Sequence, residues 1–416
     1  MGKRVAIIGA GAAGCFCAVN LGRKAPELEI HVFEAGPKAL AKVAITGGGR
    51  CNLTNSFAAA RSLGKVYPRG ERLMSRALKA WSQNDTWEWF ENEGVPLVLQ
   101  DDQCVFPQSQ DAMDIVGTLV RGMRQAGVNI NYGARVESIE AQSDGGYSIS
   151  FTKSPSGVQR SPFTADYVIV TTGGSPRSEG LSFLSPLGLE MVDPVPSLFT
   201  FNVPDKDLRA LMGTVVENAA VSLCGTKLCG EGPLLITHWG LSGPAALKLS
   251  SYGARILAEH SYRAEISVNW MPGKNDQDIR GMLSKLLGDS PQKMLSGVHP
   301  AELPSRLWEY LLDRSGLRGD IRCAEVGKKG INRLVETLMN SGFRMDGKSR
   351  FREEFVTCGG VALSGISLNT LESKKHPGLY FAGEVLDVDA ITGGFNLQAA
   401  WSMGYIVAES ILSTLS

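Results

Sequence analysis

The sequence predicts an α/β fold in which one domain with a parallel sheet is split by an inserted, mixed α+β domain. Residues 4–8 are predicted to form a buried strand and residues 12–23 a helix, with a glycine-rich turn between them. Prolines crowd residues 186–204, which neither one helix nor one central strand tolerates. Glycine-rich strand patterns return from residue 354 onward. We therefore expect a first domain in two pieces and an insert between them, with the bounds 1–193, 356–416 and 194–355.

The composition is that of a globular protein with balanced charge. The 416 residues include 42 Lys and Arg against 42 Asp and Glu, so the net charge does not indicate a nucleic-acid or membrane partner. Eight cysteines lack the paired spacing of a disulfide framework, which indicates a reducing compartment. The uncharged stretch 5–22 imitates a signal peptide, but glycines at phosphate-loop spacing interrupt it. We expect a cytoplasmic protein without a membrane anchor.

The first motif, VAIIGAGAAG, is typical of a Rossmann-like domain that binds FAD or NAD(P). In this pattern Gly9 allows the tight turn, Gly11 lets the backbone approach a pyrophosphate, and Gly14 lets the helix pack closely on the strand. Glu34 stands at the end of the second predicted strand, where its carboxylate can accept hydrogen bonds from ribose hydroxyls. The motif by itself leaves both dinucleotides open.

A second motif near the C-terminus, GLYFAGEVLDVDAITGGFN, favours FAD. Its predicted strand ends in Gly383 and Glu384, as expected where backbone and a carboxylate meet the ribityl and phosphate part of a flavin dinucleotide. Asn396 is predicted to be the N-cap of the last helix, whose positive end would face an anionic reduced flavin ring. The alternative is an ordinary cap in front of a core helix.

The third motif, TGGGRCNLTN at residues 46–55, is predicted to be a ligand loop because it has more glycines and side-chain donors than a connection needs. Arg50 and Asn52 are candidates for binding oxygens of the substrate or of the cofactor. Cys51 has two interpretations, a reactive thiol next to the flavin ring or a small buried packing residue.

On four motifs the chain resembles the BaiN/YhiN-like flavoproteins, a bacterial family of aminoacetone-oxidase-like, NAD(P)/FAD-dependent oxidoreductases. The resemblance covers essentially the whole chain and implies a split FAD-binding domain with an insert. It implies no single substrate, because members have been linked to amine oxidation, to steroid-like substrates and to reduction of a pyrimidine in ribosomal RNA. The four motifs are GAGAAG at 9–14, GGGRCNLTN at 47–55, THWGLSGPAAL at 237–247 and GLYFAGEVLDVDAITGGFNLQAAWSMG at 378–404.

The motifs and this resemblance together indicate the candidate site residues. No metal site is expected, since no grouping of cysteine, histidine and carboxylate has ligand spacing. The candidate catalytic residues are Arg50, Cys51, Asn52 and His238. The candidate FAD contacts are Gly9, Ala10, Gly11, Ala13, Gly14, Glu34, Lys42, Gly48, Gly49, Arg50, Val136, Thr172, Gly173, Gly174, Gly383, Glu384, Asp387, Gly394, Phe395, Asn396 and Leu397.

The predicted function is FAD-dependent redox of a small organic or unsaturated-ring substrate, with hydride moving through flavin N5. A second dinucleotide fingerprint is absent from the sequence, so NAD(P)H is expected as a transient donor over the flavin. His238, in THWGLSGP, is either an acid or base at the flavin or part of a loop that docks the insert. A scaffold that keeps FAD only for stability is a further alternative, and the sequence leaves the oligomeric state open.

Residues 322–352 carry a local excess of positive charge. Their eight basic residues oppose only Glu325, Glu336 and Asp346, which leaves five net positive charges. Such a stretch is either a solvated face or a contact for nucleic-acid phosphates. Together with the link to ribosomal RNA that the family resemblance implies, this stretch makes a flavoenzyme that reduces a pyrimidine in ribosomal RNA the alternative function. The basic residues are Arg322, Lys328, Lys329, Arg333, Arg344, Lys348, Arg350 and Arg352.

Overall fold

A computed structural model describes residues 2–143, 145–153, 157, 159–348 and 356–415. The chain divides into two compact units. Unit 1 consists of two separated stretches of sequence, and unit 2 is the continuous stretch between them. The expected boundary after residue 193 precedes the first limit by three residues, and residue 355, at the second expected boundary, lies outside the described residues. The limits are Met1–Pro196 with Glu353–Ser416 for unit 1 and Ser197–Arg352 for unit 2.

Strands and helices alternate along much of the chain. The strands are β1 Arg4–Ile8, β2 Glu29–Phe33, β3 Thr54–Asn55, β4 Leu97–Leu99, β5 Cys104–Pro107, β6 Asn129–Asn131, β7 Val136–Ala141, β8 Tyr147–Phe151, β9 Phe163–Ala165, β10 Tyr167–Val170, β11 Met191–Pro196, β12 Phe201–Asn202, β13 Val215–Leu223, β14 Cys229–Ile236, β15 Gly240–Ser242, β16 Arg263–Asn269, β17 Ser341–Asp346, β18 Thr357–Val361 and β19 Leu379–Phe381. The helices are α1 Ala12–Lys24, α2 Ala41–Ile45, α3 Leu63–Val66, α4 Glu71–Ala80, α5 Gln83–Asn92, α6 Ala112–Gln125, α7 Lys206–Ala210, α8 Pro244–Tyr252, α9 Ala254–Glu259, α10 Asp276–Gly288, α11 Ser305–Arg314, α12 Gly327–Met339 and α13 Phe395–Leu415.

Unit 1 is built on a five-stranded parallel sheet with the order β19-β10-β1-β2-β6. Strand β1 lies in the middle, and its residues 5–8 are buried, as a parallel strand covered on both faces requires. Helix α1 contacts β1 and β2 and packs along α13. The ring of Phe16 on α1 lies 5.5 Å from the ring of Trp401 on α13 and 4.8 Å from that of Trp89. Because the five strands are parallel, their carboxyl ends lie at one edge of the sheet, with α1 and α13 packed nearby.

Three smaller antiparallel sheets complete unit 1. Their strand orders are β3-β5-β4, β7-β8-β9 and β11-β18. The first of these sheets leads directly out of the glycine-rich segment 46–52. Strand β3 contacts helix α13, so this segment is attached to the C-terminal part of the chain.

Unit 2 is a mixed α+β unit, as expected for the insert. Its six-stranded antiparallel sheet has the order β12-β15-β14-β13-β16-β17. Helix α8 packs on β13 and β14, and α12 packs on α10 and β16. Trp270 and Trp308 are among its fully buried side chains.

The sequence pattern also predicts one helical stretch from Glu71 to Glu93 and one strand from Phe163 to Thr172, and both predictions are wrong in their extent. The single helical stretch expected from Glu71 to Glu93 is two helices, because Ser82 starts a new one. The Ser82 side chain accepts from the Asp85 N–H at 3.3 Å, and the Asp85 carboxylate accepts from the Ser82 N–H at 2.7 Å, which is a capping box. The strand expected from Phe163 to Thr172 is β9 and β10, which belong to different sheets.

The uncharged stretch 5–22 forms a buried strand, a turn and most of helix α1. In the part of the chain that the structure describes, no helix combines the length and the apolar character needed to cross a bilayer.

Candidate active site

The three fingerprint glycines differ in what surrounds them. Gly9 has a φ of 104°, and a Cβ there would lie 2.6 Å from the carbonyl oxygen of Thr171. A Cβ at Gly14 would lie 2.2 Å from the Gly9 carbonyl oxygen, which is a clash with backbone. A Cβ at Gly11 would instead have its nearest neighbour at 3.9 Å. The space in front of Gly11, at the N-terminus of α1, is therefore open to a ligand, whereas Gly9 and Gly14 serve the turn and the packing.

Thr171 holds the glycine loop from the neighbouring strand. Its hydroxyl lies 3.0 Å from the carbonyl oxygen of Ile8 and 2.8 Å from that of Gly9, within reach of both. The neighbouring Thr172, a candidate FAD contact, has an exposed side chain that donates to the Gly173 carbonyl at 3.4 Å, and its contact with FAD stays a prediction. Two adjacent threonines cannot be told apart by composition, because only the register of β10 against β1 decides which one faces the loop.

Glu34 closes the other side of the loop. One carboxylate oxygen accepts from the N–H of Ala10 at 2.9 Å, and the other accepts from the N–H of Gly36 at 2.7 Å. A carboxylate oxygen can accept a second hydrogen bond, so Glu34 keeps the capacity to bind ribose hydroxyls. Its first contribution is to fix the glycine loop itself.

Lys42, Gly173, Gly174 and Glu384 come together from three parts of unit 1. Glu384 accepts from the N–H of Thr357 at 2.7 Å, and a Cβ at Gly174 would lie 2.4 Å from the same carboxylate oxygen. A Cβ at Gly173 would lie 3.9 Å from Lys42 Nζ. Burial raises the pKa of Glu384, and the positive charge of Lys42 opposes that rise. These residues form a polar patch next to the glycine loop.

Ala13 and Gly383, two more of the candidate FAD contacts, meet in the same region. Ala13, in the first turn of α1, would be 3.4 Å from a Cβ placed on Gly383. Gly383 itself has a φ of 83°, so it adopts a left-handed conformation two residues after the end of β19.

The segment 46–52 makes a tight left-handed path. Gly47, Gly48 and Gly49 have φ values of 60°, 70° and 83°, which residues other than glycine rarely adopt. This path turns the Arg50 side chain back onto its own loop, where its Nε donates to the Gly47 carbonyl at 3.1 Å. The Arg50 guanidinium also lies 4.5 Å from the centroid of the Phe106 ring, a cation–π contact. Arg50 is nevertheless an exposed residue.

Asn52 and Asn55 join this loop to the turn before α13. With the amide of Asn52 oriented so that both ends find partners, its oxygen accepts from the Gly394 N–H at 3.2 Å and its nitrogen donates to the Thr54 carbonyl at 3.1 Å. Asn55 donates to the Gly393 carbonyl at 3.0 Å. A Cβ at Gly394 would lie 2.3 Å from the Thr54 carbonyl oxygen. The loop and the turn are therefore packed as one structure.

Cys51 is fully buried, with a φ of 61°. Burial raises the pKa of its thiol to about 12, so the thiolate is scarce at neutral pH. Of the two interpretations of Cys51, these observations favour the packing residue.

The predicted N-cap at Asn396 is wrong. Helix α13 begins at Phe395, and the Asn396 side chain accepts from the N–H of Ala390 at 2.9 Å and donates to its carbonyl at 3.0 Å. Asn396 thus closes the loop that leads into the helix. The Phe395 carbonyl accepts from the Tyr67 hydroxyl at 2.9 Å, and the neighbouring Leu397 is half-buried.

Sequence reasoning also missed an ion pair that holds an aspartate of the C-terminal motif at residues 378–404. Asp389 is fully buried and pairs with Arg69, whose Nε lies 2.5 Å from its Oδ1. Asp387, a candidate FAD contact, accepts from the Gly359 N–H at 2.8 Å, and its contact with FAD stays a prediction. The available signal was an aspartate in the apolar segment VDAI, because a buried carboxylate needs a charged partner. Nothing local in the sequence points to Arg69 as that partner.

Val136 and His238 belong to other elements of the structure. Val136 is half-buried at the start of β7, in a separate antiparallel sheet. His238 is exposed in unit 2, between β14 and β15, with its ring 4.4 Å from that of Trp239. Its action as an acid or base stays a prediction. Among the described residues, no group of three or more His, Cys, Asp or Glu side chains is arranged to hold a metal ion.

The chain matches a known protein family along nearly its whole length. Residues 3–410 match the family model described as HI0933-like protein Rossmann domain. The chain belongs to this family. It is 30% identical over 414 residues, 97% of each chain, to a ribosomal RNA dihydrouridine synthase of Haemophilus influenzae. It is 28% identical over 420 residues, 98% of each chain, to a 3-dehydro-bile acid delta(4,6)-reductase of Clostridium scindens.

A solved structure supports the architecture. The 3-ketosteroid-delta4-(5alpha)-dehydrogenase of Rhodococcus jostii superposes with a TM-score of 0.53, covering 98% of this chain and 96% of that one. At 13% identity this likeness shows the fold alone. The family match confirms the expected resemblance, the Rossmann-like α/β fold with an additional domain, and the class of FAD-dependent oxidoreductase.

The first prediction separates ligand space from packing space in the glycine loop. Gly11→Val should give a folded protein that has lost at least about 100-fold in FAD affinity, because its side chain enters the space in front of the loop. Gly14→Val should destabilise the protein itself by about 1–3 kcal/mol or more, because its Cβ meets the Gly9 carbonyl. Thermal unfolding of the apoproteins and titration with FAD distinguish the two. Equal unfolding midpoints for both variants would contradict the assignment.

The second prediction concerns Cys51. Because its thiol is buried and protonated, Cys51→Ser should keep its flavin and change the rate of flavin reduction by NADH or NADPH by no more than about threefold, well under 1.4 kcal/mol. The rate is measured by anaerobic stopped-flow absorbance, with Cys51→Ala as the control for lost polarity. A hundredfold loss in both variants, with flavin retained, would show that the thiol takes part in the chemistry.

Proposed function

We propose that the chain is a reductase of ring carbon–carbon double bonds conjugated to a carbonyl group, with NAD(P)H as a transient donor. The names of the two relatives describe reduction of a 3-dehydro bile acid with 4,6 double bonds and of uridine in ribosomal RNA. These molecules differ in size and polarity, but in both a ring double bond is conjugated to a carbonyl. The common chemistry, rather than either substrate, is what we transfer to this chain.

Such a reduction needs positive charge at the substrate oxygen. Hydride is added to the double-bond carbon that is further from the carbonyl, and the displaced electron pair moves onto the carbonyl oxygen. A proton later joins the double-bond carbon next to the carbonyl. A fixed donor at an oxygen of this kind lowers the barrier by about 2.7–4 kcal/mol. The observation that carries the proposal is the position of Arg50. It is exposed and cationic, and the loop that holds it is bonded through Asn52 to the turn at Gly394.

The other residues of the site would hold and orient the cofactor. FAD, when bound, supplies reversible hydride exchange. The space at Gly11 and the N-terminus of α1 fit its pyrophosphate, and Glu34 has free acceptor capacity for its ribose. Asn52 and Asn55 keep the Arg50 loop at a constant position relative to the turn before α13. The absence of a second GxGxxG fingerprint in the sequence supports transient use of NAD(P)H.

The third prediction tests this substrate class. After anaerobic reduction with NADH or NADPH, the bound flavin should be reoxidised by 2-cyclohexen-1-one or a 3-oxo-4-ene steroid, with the saturated ketone as product. Cyclohexene, which lacks the carbonyl, should give no reaction because no oxygen receives the charge. Flavin absorbance and product mass are measured together. Reoxidation by oxygen alone, with no conjugated carbonyl accepted, would contradict the proposal.

A second candidate is a reductase that acts on a pyrimidine within RNA. It is favoured by the name of one relative and by an exposed basic surface on unit 2. We define this basic surface by five exposed residues of the described chain. Lys348 is half-buried, and Arg350 and Arg352 lie outside the described residues. The five are Arg322, Lys328, Lys329, Arg333 and Arg344.

The fourth prediction decides whether this surface binds RNA. Reversal of Lys328 and Lys329 to Glu should weaken binding to an RNA hairpin and reduce the slope of log K against log salt by about 1.4–1.8, if each lysine contacts one phosphate. Reversal of the exposed Lys206 and Lys227, also in unit 2, makes the same change of charge elsewhere and is the control. Equal effects of the two pairs would leave only non-specific attraction and remove this candidate.

A further inference from the structure

Gln110 is held in an unusual backbone conformation beside Arg50. Its φ is 57°, in the left-handed region that costs energy for any residue with a side chain. Its side-chain nitrogen donates to the Pro107 carbonyl at 3.0 Å. Because the amide nitrogen faces Pro107, the amide oxygen faces away from it. There it accepts from Arg50 Nη1 at 3.4 Å and from Gln100 Nε2 at 3.3 Å. The orientation of the Gln110 amide is therefore determined on both sides.

Arg50 is immobilised by these contacts without being neutralised. The guanidinium lies over the ring of Phe106, a residue that is only 3% exposed, in a cation–π contact. Its Nε donates a hydrogen bond to the Gly47 carbonyl. Within the described ranges, Nη2 has no hydrogen-bond partner. Gln110 is a neutral acceptor, whereas a glutamate of the same shape would pair with the charge. The guanidinium thus keeps both a free donor edge and its full charge.

We propose that Gln110 is a positioning residue that presents the Arg50 guanidinium to the carbonyl oxygen of the substrate. This inference rests on the proposed function and specifies how the substrate is recognised. Hydride that the nicotinamide donor supplies, and that bound FAD would relay, forms a C–H bond at the double-bond carbon further from the carbonyl. The double-bond electron pair moves toward the carbonyl, and the oxygen becomes an enolate beside Arg50. A proton from water then joins the neighbouring carbon and restores the carbonyl, so the donor is oxidised and the ring saturated.

Gln103 provides a matched control. It is also half-buried, has a φ of 69° and lies on the turn between β4 and β5. Its side chain accepts from the Ser56 hydroxyl at 2.7 Å and donates to the Asp101 carbonyl at 3.3 Å. Gln103→Glu therefore places the same charge on the same kind of backbone, away from the Arg50 contacts.

The fifth prediction is read from binding of a stable enolate mimic to the FAD-loaded protein. Pentafluorophenol, ionised at neutral pH, represents the enolate, and pentafluoroanisole is its uncharged counterpart. Gln110→Glu should weaken binding of the phenolate by about 10–100-fold, the value of one charge-assisted hydrogen bond, and leave the anisole unchanged. Gln110→Leu should cause a smaller loss, because Arg50 keeps its charge but not its position. Gln103→Glu should stay within about twofold of the wild type.

Isothermal titration calorimetry measures the dissociation constants, and flavin content and thermal unfolding show that each variant is folded. Unchanged phenolate binding in Gln110→Glu, or an equal loss in Gln103→Glu, would overturn the role of Gln110. Turnover of 2-cyclohexen-1-one should fall in parallel with phenolate binding. If the wild type reduces no conjugated carbonyl while Gln110→Glu still weakens phenolate binding, the proposed function fails and the positioning of Arg50 by Gln110 stands.

Discussion

The site of unit 1 depends on the parallel alignment of β1, β2, β10 and β19. Parallel pairing forces the carboxyl ends of these strands to one edge, although they lie far apart in the sequence. The Thr171 hydroxyl, after β10, is within hydrogen-bond reach of the carbonyls of Ile8 and Gly9, at the end of β1. The Ala382 N–H, after β19, donates to the Val170 carbonyl. Without this register the glycine loop would have no partner to fix its shape.

A second constraint attaches the Arg50 loop to helix α13. The Thr54 hydroxyl donates to the Gln398 amide oxygen at 2.6 Å, and Trp401 donates to the Leu53 carbonyl at 3.0 Å. The Gln398 amide nitrogen in turn donates to the Ser402 hydroxyl at 3.0 Å. These groups are buried, so a broken bond would leave an unpaired polar atom and cost about 1–3 kcal/mol. The helix and the loop are held at a constant separation by this network.

Charge is arranged differently in the interior and at the open edge of the site. Asp389 is buried with Arg69, and Glu384 has Lys42 nearby, so the inner charges have partners. Arg50, at the surface, contacts the Phe106 ring, the Gly47 carbonyl and the neutral Gln110 amide. Arg50 therefore keeps a positive charge available to a ligand oxygen, and this feature supports the proposed reduction of a conjugated carbonyl.

The sequence by itself determined the parts of this protein that depend on short-range patterns. The strand at residues 4–8, the helix after it and the need for glycine at Gly9 and Gly14 follow from spacing, because steric demands on a turn act between near neighbours. Tertiary structure alone decided that Thr171 holds the loop, that Asn396 binds Ala390 instead of capping α13, and that Gln110 faces Arg50. These contacts depend on strand register and on the direction of single side chains, which the packing of distant segments sets.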